Sequence, residues 1–180
     1  MSFYQDRSVG HLPPPGLSDK LRLYHVDMNP YGHRVLLILE AKKAKYEVYK
    51  LDPLRLPEWF KVKNPRCNCT EPSTLRSSPK QLVLNKLLDF LFSILSGTNY
   101  FSGHRPGMLD YMIWPWVERL YLLRCVSEQK FDSKRGLFPN FADWADQMQL
   151  DEVVKKHAVS PQEYFDYYRN ARTHSMGYYI

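Results

Sequence analysis

The chain has 180 residues, of which 44% are hydrophobic, and a formal net charge of +6. That length and apolar content suit one globular domain or two small ones. No apolar run reaches the roughly eighteen residues that a membrane span needs, and the first residues lack the apolar core of a signal peptide. Lysine and arginine are interspersed with acidic residues rather than clustered, so we expect neither a nucleic-acid partner nor a membrane partner.

Cysteine usage indicates the compartment. The three cysteines are Cys67, Cys69 and Cys125, an odd and sparse set that is typical of a reducing cytoplasm rather than of a disulfide framework. Cys67 and Cys69 form a Cys-x-Cys pair, but no second pair follows at zinc-site spacing, so we interpret them as linker thiols and expect no metal. Cys125 lies in an apolar helical pattern and is predicted to pack in the core.

Two strands are predicted in the first third of the chain. Residues 1–20, with three consecutive prolines, are expected to form an irregular N-terminal extension. The segments LRLYHV at 21–26 and YEVYKL at 46–51 alternate in polarity and are rich in β-forming residues, which predicts a strand at each. Another short helix is predicted from Pro57.

A helix is predicted between these strands. Asn29 is a favoured N-cap, since its side-chain oxygen can accept an orphan backbone N–H. Pro30 suits the first helical position, where no N–H is needed. The apolar residues that follow extend the helix to about Lys43. They lie on nearly every side of it, so we expect the helix to be largely buried. Strand, helix and strand make a βαβ unit with parallel strands, which we assign to residues 21–64.

The rest of the chain is predicted to be helical after a break. Residues 65–80 contain prolines, serines and threonines without periodicity, which predicts a linker. Residues 81–180 are assigned to a helical domain. Helices are predicted from residue 81, over 108–126 with Pro115 inside, over 138–149, and over 160–172, where Ser160 and Glu163 form a capping box.

Several stretches together resemble the cytosolic glutathione transferases, and most closely their omega class. They are HLPPPGLSDKLRLY, the segment from LRLYHVDMNPYGHRV to KVKNP, GTNYFSGHRPGMLDYMIWPWVERL and LFPNFADWADQM. The resemblance covers roughly three quarters of the chain, and the order of several motifs makes it more specific than a lone βαβ unit. It implies α/β plus all-α architecture: a partial thioredoxin-like unit followed by a helical glutathione-transferase domain.

Two departures from the family pattern bear on function. The omega enzymes carry their catalytic cysteine at the position of Asn29. After KNP, the family continues into further strands, a cis-proline turn and a helix opening with Glu-Ser, whereas this chain has RCNCTEPSTLRSSPK and contains neither a Val-Pro nor a Glu-Ser dipeptide. The resemblance therefore implies an internal deletion that leaves two of four strands and a bare edge on the first of them.

The resemblance also implies a site. Glutathione, as co-substrate, is expected at Asn29 and Tyr31, with Arg55 as a third contact beside Leu56, which replaces the family's lysine. For Asn29, capping alone is a complete explanation, and for Tyr31 so is a surface aromatic. An asparagine has no nucleophile, but its amide can donate to the thiolate of glutathione and so favour the ionised form.

Other residues of the helical half have structural and functional interpretations. Trp114, Trp116 and the tyrosines of EYFDYYRN could line a pocket for an electrophile, although such spacing is more typical of a core. Asp110 is expected to cap a helix together with Gly107, which stands where a serine or threonine is usual.

The function predicted is that of an omega-like glutathione transferase. At family level this means conjugation or thiol transfer, including dehydroascorbate reduction, and roles in detoxification and redox chemistry, with activity weak or lost in this chain. Small electrophiles or disulfides are the expected second substrates, and the expected assembly is a homodimer or a heterodimer with a full-length paralogue. The alternative is a non-catalytic family remnant that acts through dimerisation or is unstable. A basic nucleic-acid-binding module is a third, disfavoured hypothesis that salt-dependent binding would test.

Overall fold

The computed structural model describes residues 3–7, 12–14, 16, 20–52, 55–65, 98–126 and 139–174. The chain divides into two compact units, Met1–Pro72 and Ser73–Ile180. Both cysteines of the predicted linker and the helix predicted from residue 81 lie outside the described residues, as do most of residues 65–80. Within the described part of the chain, no helix has both the length and the apolar character to cross a membrane.

The described residues of the first unit form a parallel sheet of three strands. These are β1 (Phe3–Arg7), β2 (Leu21–His25) and β3 (Tyr46–Leu51), in the order β1–β3–β2. Phe3 lies opposite Glu47 on one side of β3, and Leu21 lies opposite Tyr46 on the other. The two predicted strands are confirmed.

The prediction of an irregular extension is wrong for Phe3–Arg7, and the prediction of a two-stranded sheet is wrong with it. The sequence FYQDR has only two strong β-formers at its start, so its own pattern carries little signal. Its strand conformation comes from pairing with residues 47–51 of β3, a tertiary interaction that strand propensity does not encode.

One face of the sheet is covered by helix α1 (Pro30–Ala41). Leu23, Leu36, Tyr46 and Val48 form a buried cluster between them, with Leu39 packed against it. The helix is buried on one side only, since Val35 remains 38% exposed, and the expectation of a largely buried helix is wrong on that side. A run of apolar residues thus overstates burial where the helix covers a single sheet face.

Beyond the end of β3 lies a second cluster, which includes helix α2 (Glu58–Lys63). Val26, Leu51, Leu56 and Phe60 are buried together, and the Tyr24 ring lies 5.4 Å from that of Phe60 and 5.8 Å from that of Trp59. Pro57 precedes α2 as its N-cap residue rather than occupying the first helical position.

Helix α1 ends in a Schellman motif. The N–H of Lys43 donates to the carbonyl of Glu40, and that of Ala44 to the carbonyl of Leu39, which satisfies carbonyls that the last turn leaves open. Lys43 adopts the left-handed conformation with φ 51°, which closes the helix two residues earlier than its apolar pattern predicts.

The second unit is helical. Among the described residues of this unit, the helices are α3 (Met108–Val126), α4 (Pro139–Leu150), α5 (Glu152–Lys156) and α6 (Pro161–His174). Helix α3 packs against α4 and α6, and α5 follows α4 directly. The predicted helices over 108–126, 138–149 and 160–172 are confirmed, whereas α5 is too short for its periodicity to have been recognised.

A buried carboxylate joins the start of α3 to α4. Asp110 is fully buried and accepts hydrogen bonds from the N–H of Gly107 at 2.8 Å, the N–H of Phe101 at 3.1 Å and the indole of Trp144 at 2.7 Å. The predicted cap by Gly107 and Asp110 is confirmed. A Cβ on Gly107 would overlap Ser102, so the usual serine or threonine does not fit here.

The capping box at α6 is also confirmed. Glu163 receives the N–H of Ser160 at 3.0 Å, and Ser160 Oγ receives the N–H of Glu163 at 3.1 Å. Hydrogen bonding by the Ser160 side chain, and then by the Ser160 backbone N–H, lowers the pKa of the Glu163 carboxyl. The reciprocal pair satisfies two orphan donors of the first turn, as the sequence pattern predicts.

Replacing Lys43 with glycine should stabilise the first unit. A side chain in the left-handed region costs about 1 kcal/mol, so we expect Lys43→Gly to raise the free energy of unfolding by about 0.5–1 kcal/mol. Hydrogen exchange of the α1 amides measures this. Lys42→Gly is the matched control: its φ of −81° is ordinary, so glycine should be destabilising there. Equal losses from both variants would contradict the assignment.

The stability of the second unit should depend on Glu118. This residue of α3 is buried, and burial raises its pKa from 4.5 to about 7, against the opposing effects of the Val159 N–H and Arg119. A raised folded pKa means that stability is fully present below pH 4.5 and falls as the pH rises through 7. Glu118→Gln should therefore stabilise the unit by up to about 3 kcal/mol at pH 8 and hardly at pH 4.

Chemical denaturation at the two pH values measures this difference. Glu152→Gln is the control, because Glu152 forms an exposed pair with Lys155 that contributes little. A stability gain for Glu118→Gln that is the same at both pH values would refute the ionisation argument.

Candidate functional site

The topology brings two of the three predicted site residues to one edge of the sheet. Strands β2 and β3 are parallel neighbours, so their carboxyl ends, His25 and Leu51, lie at the same edge. Asn29 follows shortly after the first and Arg55 shortly after the second. The crevice outside the carboxyl ends of parallel strands is where open α/β sheets bind ligands, so this edge is the candidate site.

Asn29 caps helix α1 with its side chain. Its Oδ1 accepts the N–H of Tyr31 at 2.8 Å and that of Gly32 at 3.4 Å, and its backbone is extended with φ −84° and ψ 118°. The predicted N-cap is confirmed. Because capping uses only the amide oxygen, the Nδ2 group keeps its two N–H donors for another acceptor.

A residue in the left-handed conformation directly precedes this cap and sets its direction. Met28 has φ 61°, a region that non-glycine residues rarely adopt, and the N–H of Asn29 donates to the carbonyl of Val26 at 3.2 Å. The chain therefore reverses sharply between β2 and α1. Strained backbone of this kind clusters at functional sites, and here it lies directly before the predicted catalytic position.

Tyr31 is next to Asn29 and points away from the core. Its side chain is 58% exposed, and the guanidinium of Arg34 lies 5.2 Å from the centre of its ring. A cation over an aromatic face attracts the ring and holds it in place. Arg34 was not singled out from the sequence, although its position one turn after Tyr31 is a usable signal.

Arg55 is exposed on the segment between β3 and α2. Its backbone N–H donates to the carbonyl of Asp52 at 3.1 Å, and the structure describes no contact between Arg55 and Asn29. The two residues share the sheet edge, so Arg55 is a candidate for a second contact with a ligand bound at Asn29.

The charges at this edge favour an anion. The N-terminus of α1 carries partial positive charge, and the first turn contains no acidic residue. Asp27, which lies between β2 and Asn29, is paired with Lys50 at 3.2 Å, which offsets its charge. Arg34 and Arg55 add full positive charges, so the site suits a negatively charged ligand.

His25 is a further residue beneath this turn. It ends β2, is 7% exposed, and lies opposite Lys50 in the register. A Cβ added to Gly32 would overlap its Nδ1 and lie 3.1 Å from its Cε1. The imidazole thus occupies the space that a side chain at position 32 would need. A histidine closing a strand gives no sequence signal of such a contact.

Aromatic residues of the second unit divide between core and surface. Trp114 and Tyr164 are buried, at 2% and 6% exposure, whereas Trp116 is 37% exposed. Trp114 packs against Trp144 with ring centres 6.2 Å apart, which supports the core interpretation for Trp114. Among the described residues, no group of three histidine, cysteine or acidic side chains is placed to hold a metal ion.

Solved structures share the fold of this chain. Rice GST1, solved in complex with glutathione, superposes with a TM-score of 0.64 at 15% identity, over 87% of this chain and 97% of that one. Glutathione transferase Omega 3C from Trametes versicolor gives 0.58 at 19% identity, over 77% and 88%. The fold is therefore that of the glutathione transferases: a partial thioredoxin-like unit followed by a helical domain.

Sequence relatives indicate which class of glutathione transferase the chain resembles. The chain is 26% identical to pyrimidodiazepine synthase of Drosophila melanogaster over 214 residues, or 87% of each chain. It is 24% identical to glutathione S-transferase omega-1 of Rattus norvegicus over 93% of each chain. No family model matches the chain. The protein is thus homologous to omega-class glutathione transferases at low identity.

Removing the Asn29 side chain should weaken α1. Loss of an N-cap typically costs about 1 kcal/mol, so we expect Asn29→Ala to speed hydrogen exchange of the Tyr31 and Gly32 amides. Asn29→Asp is the control, because a carboxylate caps as well and complements the helix dipole. If Asp and Ala variants exchange equally fast, the side-chain cap has no energetic role.

Proposed function

We propose that this chain is an omega-like glutathione transferase that binds the glutathione thiolate at Asn29 and has lost thiol-exchange chemistry. The observation that carries the proposal is the geometry of Asn29, whose Oδ1 is held by the first turn of α1, while no acceptor for its N–H donors lies among the residues that the structure describes. Homology to the omega class supplies the ligand, and the thioltransferase step is the part that an amide cannot perform.

The chemistry follows from the side chain. A thiolate at a helix N-terminus has a lowered pKa and attacks disulfides, but Asn29 has no sulfur to form the mixed disulfide. Its amide can donate to the sulfur of glutathione and favour ionisation. The ionised sulfur can then attack an electrophilic carbon: the C–S bond forms, the leaving group departs with its electron pair, and the thiol proton has gone to solvent.

Charge around the site supports a glutathione carboxylate as the remote contact. Arg55 is exposed at the same sheet edge, and Tyr31 with Arg34 offers a surface beside the sulfur position. Since the family's anchors for the cysteine backbone and the γ-glutamyl carboxylate have no counterpart in the sequence motifs, we expect weak binding. Activity is accordingly proposed to be low and restricted to conjugation.

The proposed internal deletion has support from lengths. The alignment with the Drosophila relative extends over 214 residues, more than the 180 of the whole chain, so it must include gaps within this chain. The rat relative gives the same result, with an alignment over 234 residues. These lengths agree with a missing block after residue 64, where the family motifs stop.

Further features of the proposal come from homology. The cytoplasm is the proposed location, and small electrophiles are the proposed second substrates. A homodimer, or a heterodimer with a full-length paralogue, is the proposed assembly, and mass measurement after mixing with such a paralogue tests it. The alternative function is a non-catalytic remnant that acts through dimerisation, for which binding to a paralogue without binding to glutathione would be the evidence.

Restoring the sulfur should restore thiol exchange. We expect Asn29→Cys to reduce a glutathione mixed disulfide at least about tenfold faster than the parent chain, because the same amides would stabilise a thiolate. The parent should be retained weakly on immobilised glutathione and eluted by free glutathione. A coupled assay of disulfide reduction and the retained fraction measure both properties.

Asn29→Ser is the matched control, since serine caps the helix but supplies no thiol. Parent activity equal to that of Asn29→Cys would refute the loss of exchange chemistry. Failure of both the parent and Asn29→Cys to bind glutathione would leave the remnant alternative as the function.

A further inference from the structure

The packing of His25 against Gly32 points to a role in the candidate site. We propose that His25 is a positioning residue: it fixes the Tyr31 and Gly32 N–H groups that hold Asn29 Oδ1, and through them the direction in which the Asn29 amide faces a ligand. The ligand class, a thiolate, rests on the proposed function, but the positioning itself does not.

The contact lies directly behind the amide pair. Gly32 contributes one of the two N–H groups that Asn29 Oδ1 accepts, at 3.4 Å. On the same residue, the space of a Cβ is occupied by the imidazole of His25, with Cε1 3.1 Å from the ideal Cβ position. Any shift of the imidazole therefore acts on Gly32, whose N–H helps to hold the Asn29 side chain.

His25 is held firmly from the other side. It is the last residue of β2, paired in register with Lys50 of β3, and it is 7% exposed. Close-packed interiors transmit displacement because side chains have no free volume to absorb it. The imidazole thus connects the rigid sheet edge to the first turn of α1, which a smaller residue at position 25 would leave unsupported.

Glycine at position 32 fits this arrangement. It lies inside a regular helix, where alanine would be favoured by about 1 kcal/mol, and its φ is not in the left-handed region. The helix accepts the less favourable residue because a side chain would displace His25. The two residues form a matched pair, with a large side chain at position 25 and no side chain at position 32.

The test uses an introduced thiol as reporter of the amide pair. In the Asn29→Cys background, the rate of alkylation by iodoacetamide against pH gives the pKa of that thiol, with no need for glutathione. We expect His25→Ala to raise this pKa by about half a unit or more, since misplaced amides stabilise a thiolate less. Gly32→Ala should raise it as well, by pushing the imidazole from the opposite side.

Combining the two substitutions decides the question. The new Cβ at position 32 fits the space left by the imidazole, so His25→Ala with Gly32→Ala should bring the pKa closer to the reporter background than either single change does. His25→Asn, whose amide nitrogen replaces Nδ1, should retain the low pKa. Circular dichroism and thermal unfolding confirm that each variant compared is folded.

Additive effects of the two substitutions, or a reporter pKa that stays constant while stability falls, would overturn the positioning role. If His25→Ala does not fold, His25→Asn and Gly32→Ala are compared instead. The inference is overturned if the thiol pKa in both variants equals that of the Asn29→Cys background. Retention on immobilised glutathione is measured separately in the parent, so loss of that binding refutes the proposed function and leaves the thiol titration intact.

Discussion

The central position of β3 is the constraint on which the first unit depends. Because β3 pairs in parallel with a strand on each side, its residues are nearly all covered, and Val48 is fully buried. Parallel pairing with β2 also puts the start of α1 at the same edge as the segment after β3. An ion pair between Arg22 and Glu47 at 2.8 Å spans the two strands, so the register that aligns these ends is fixed by charge as well as by backbone bonds. A one-residue slip would reverse the faces of every side chain.

The two units use different means to hold their helices in place. In the first, apolar clusters on the sheet hold α1 and α2. In the second, buried or capping carboxylates hold the helices. Asp110 accepts hydrogen bonds from three donors. Asp151 caps α5 by accepting the N–H groups of Val153 and Val154, and it also accepts a hydrogen bond from the hydroxyl of Tyr111 at 3.3 Å. That environment raises the pKa of Tyr111, chiefly through burial. Polar networks of this kind favour one arrangement of the helices because each member leaves a costly orphan if it moves.

Local signals carried most of the predicted structure. The start of α1 at Asn29-Pro30, the capping box of Ser160 and Glu163, and the pairing of Gly107 with Asp110 were readable because each is an interaction within a few residues. Strand β1 was not, since its conformation depends on β3, some forty residues away along the chain. The early end of α1 at Lys43 was missed for a related reason: a lysine in left-handed conformation has no sequence signature, unlike glycine. At the candidate site, Asn29 and Tyr31 are predicted from the motif, and the spacing of Arg34 from Tyr31 is a usable signal. His25 is recognisable only once the turn is folded.

The Asn29-Pro30 pair also affects which chemical modifications this position can undergo. Cysteine in a helix N-terminal site is prone to oxidation through sulfenic to irreversible sulfinic and sulfonic acids, and asparagine in an exposed turn is commonly lost when the next backbone nitrogen closes on its amide. Pro30 has no N–H with which to carry out that closure, and Asn29 has no sulfur. The position at which the resemblance predicts a catalytic cysteine therefore carries no side chain that oxidants of thiols can modify, and its state does not depend on the oxidant level around it.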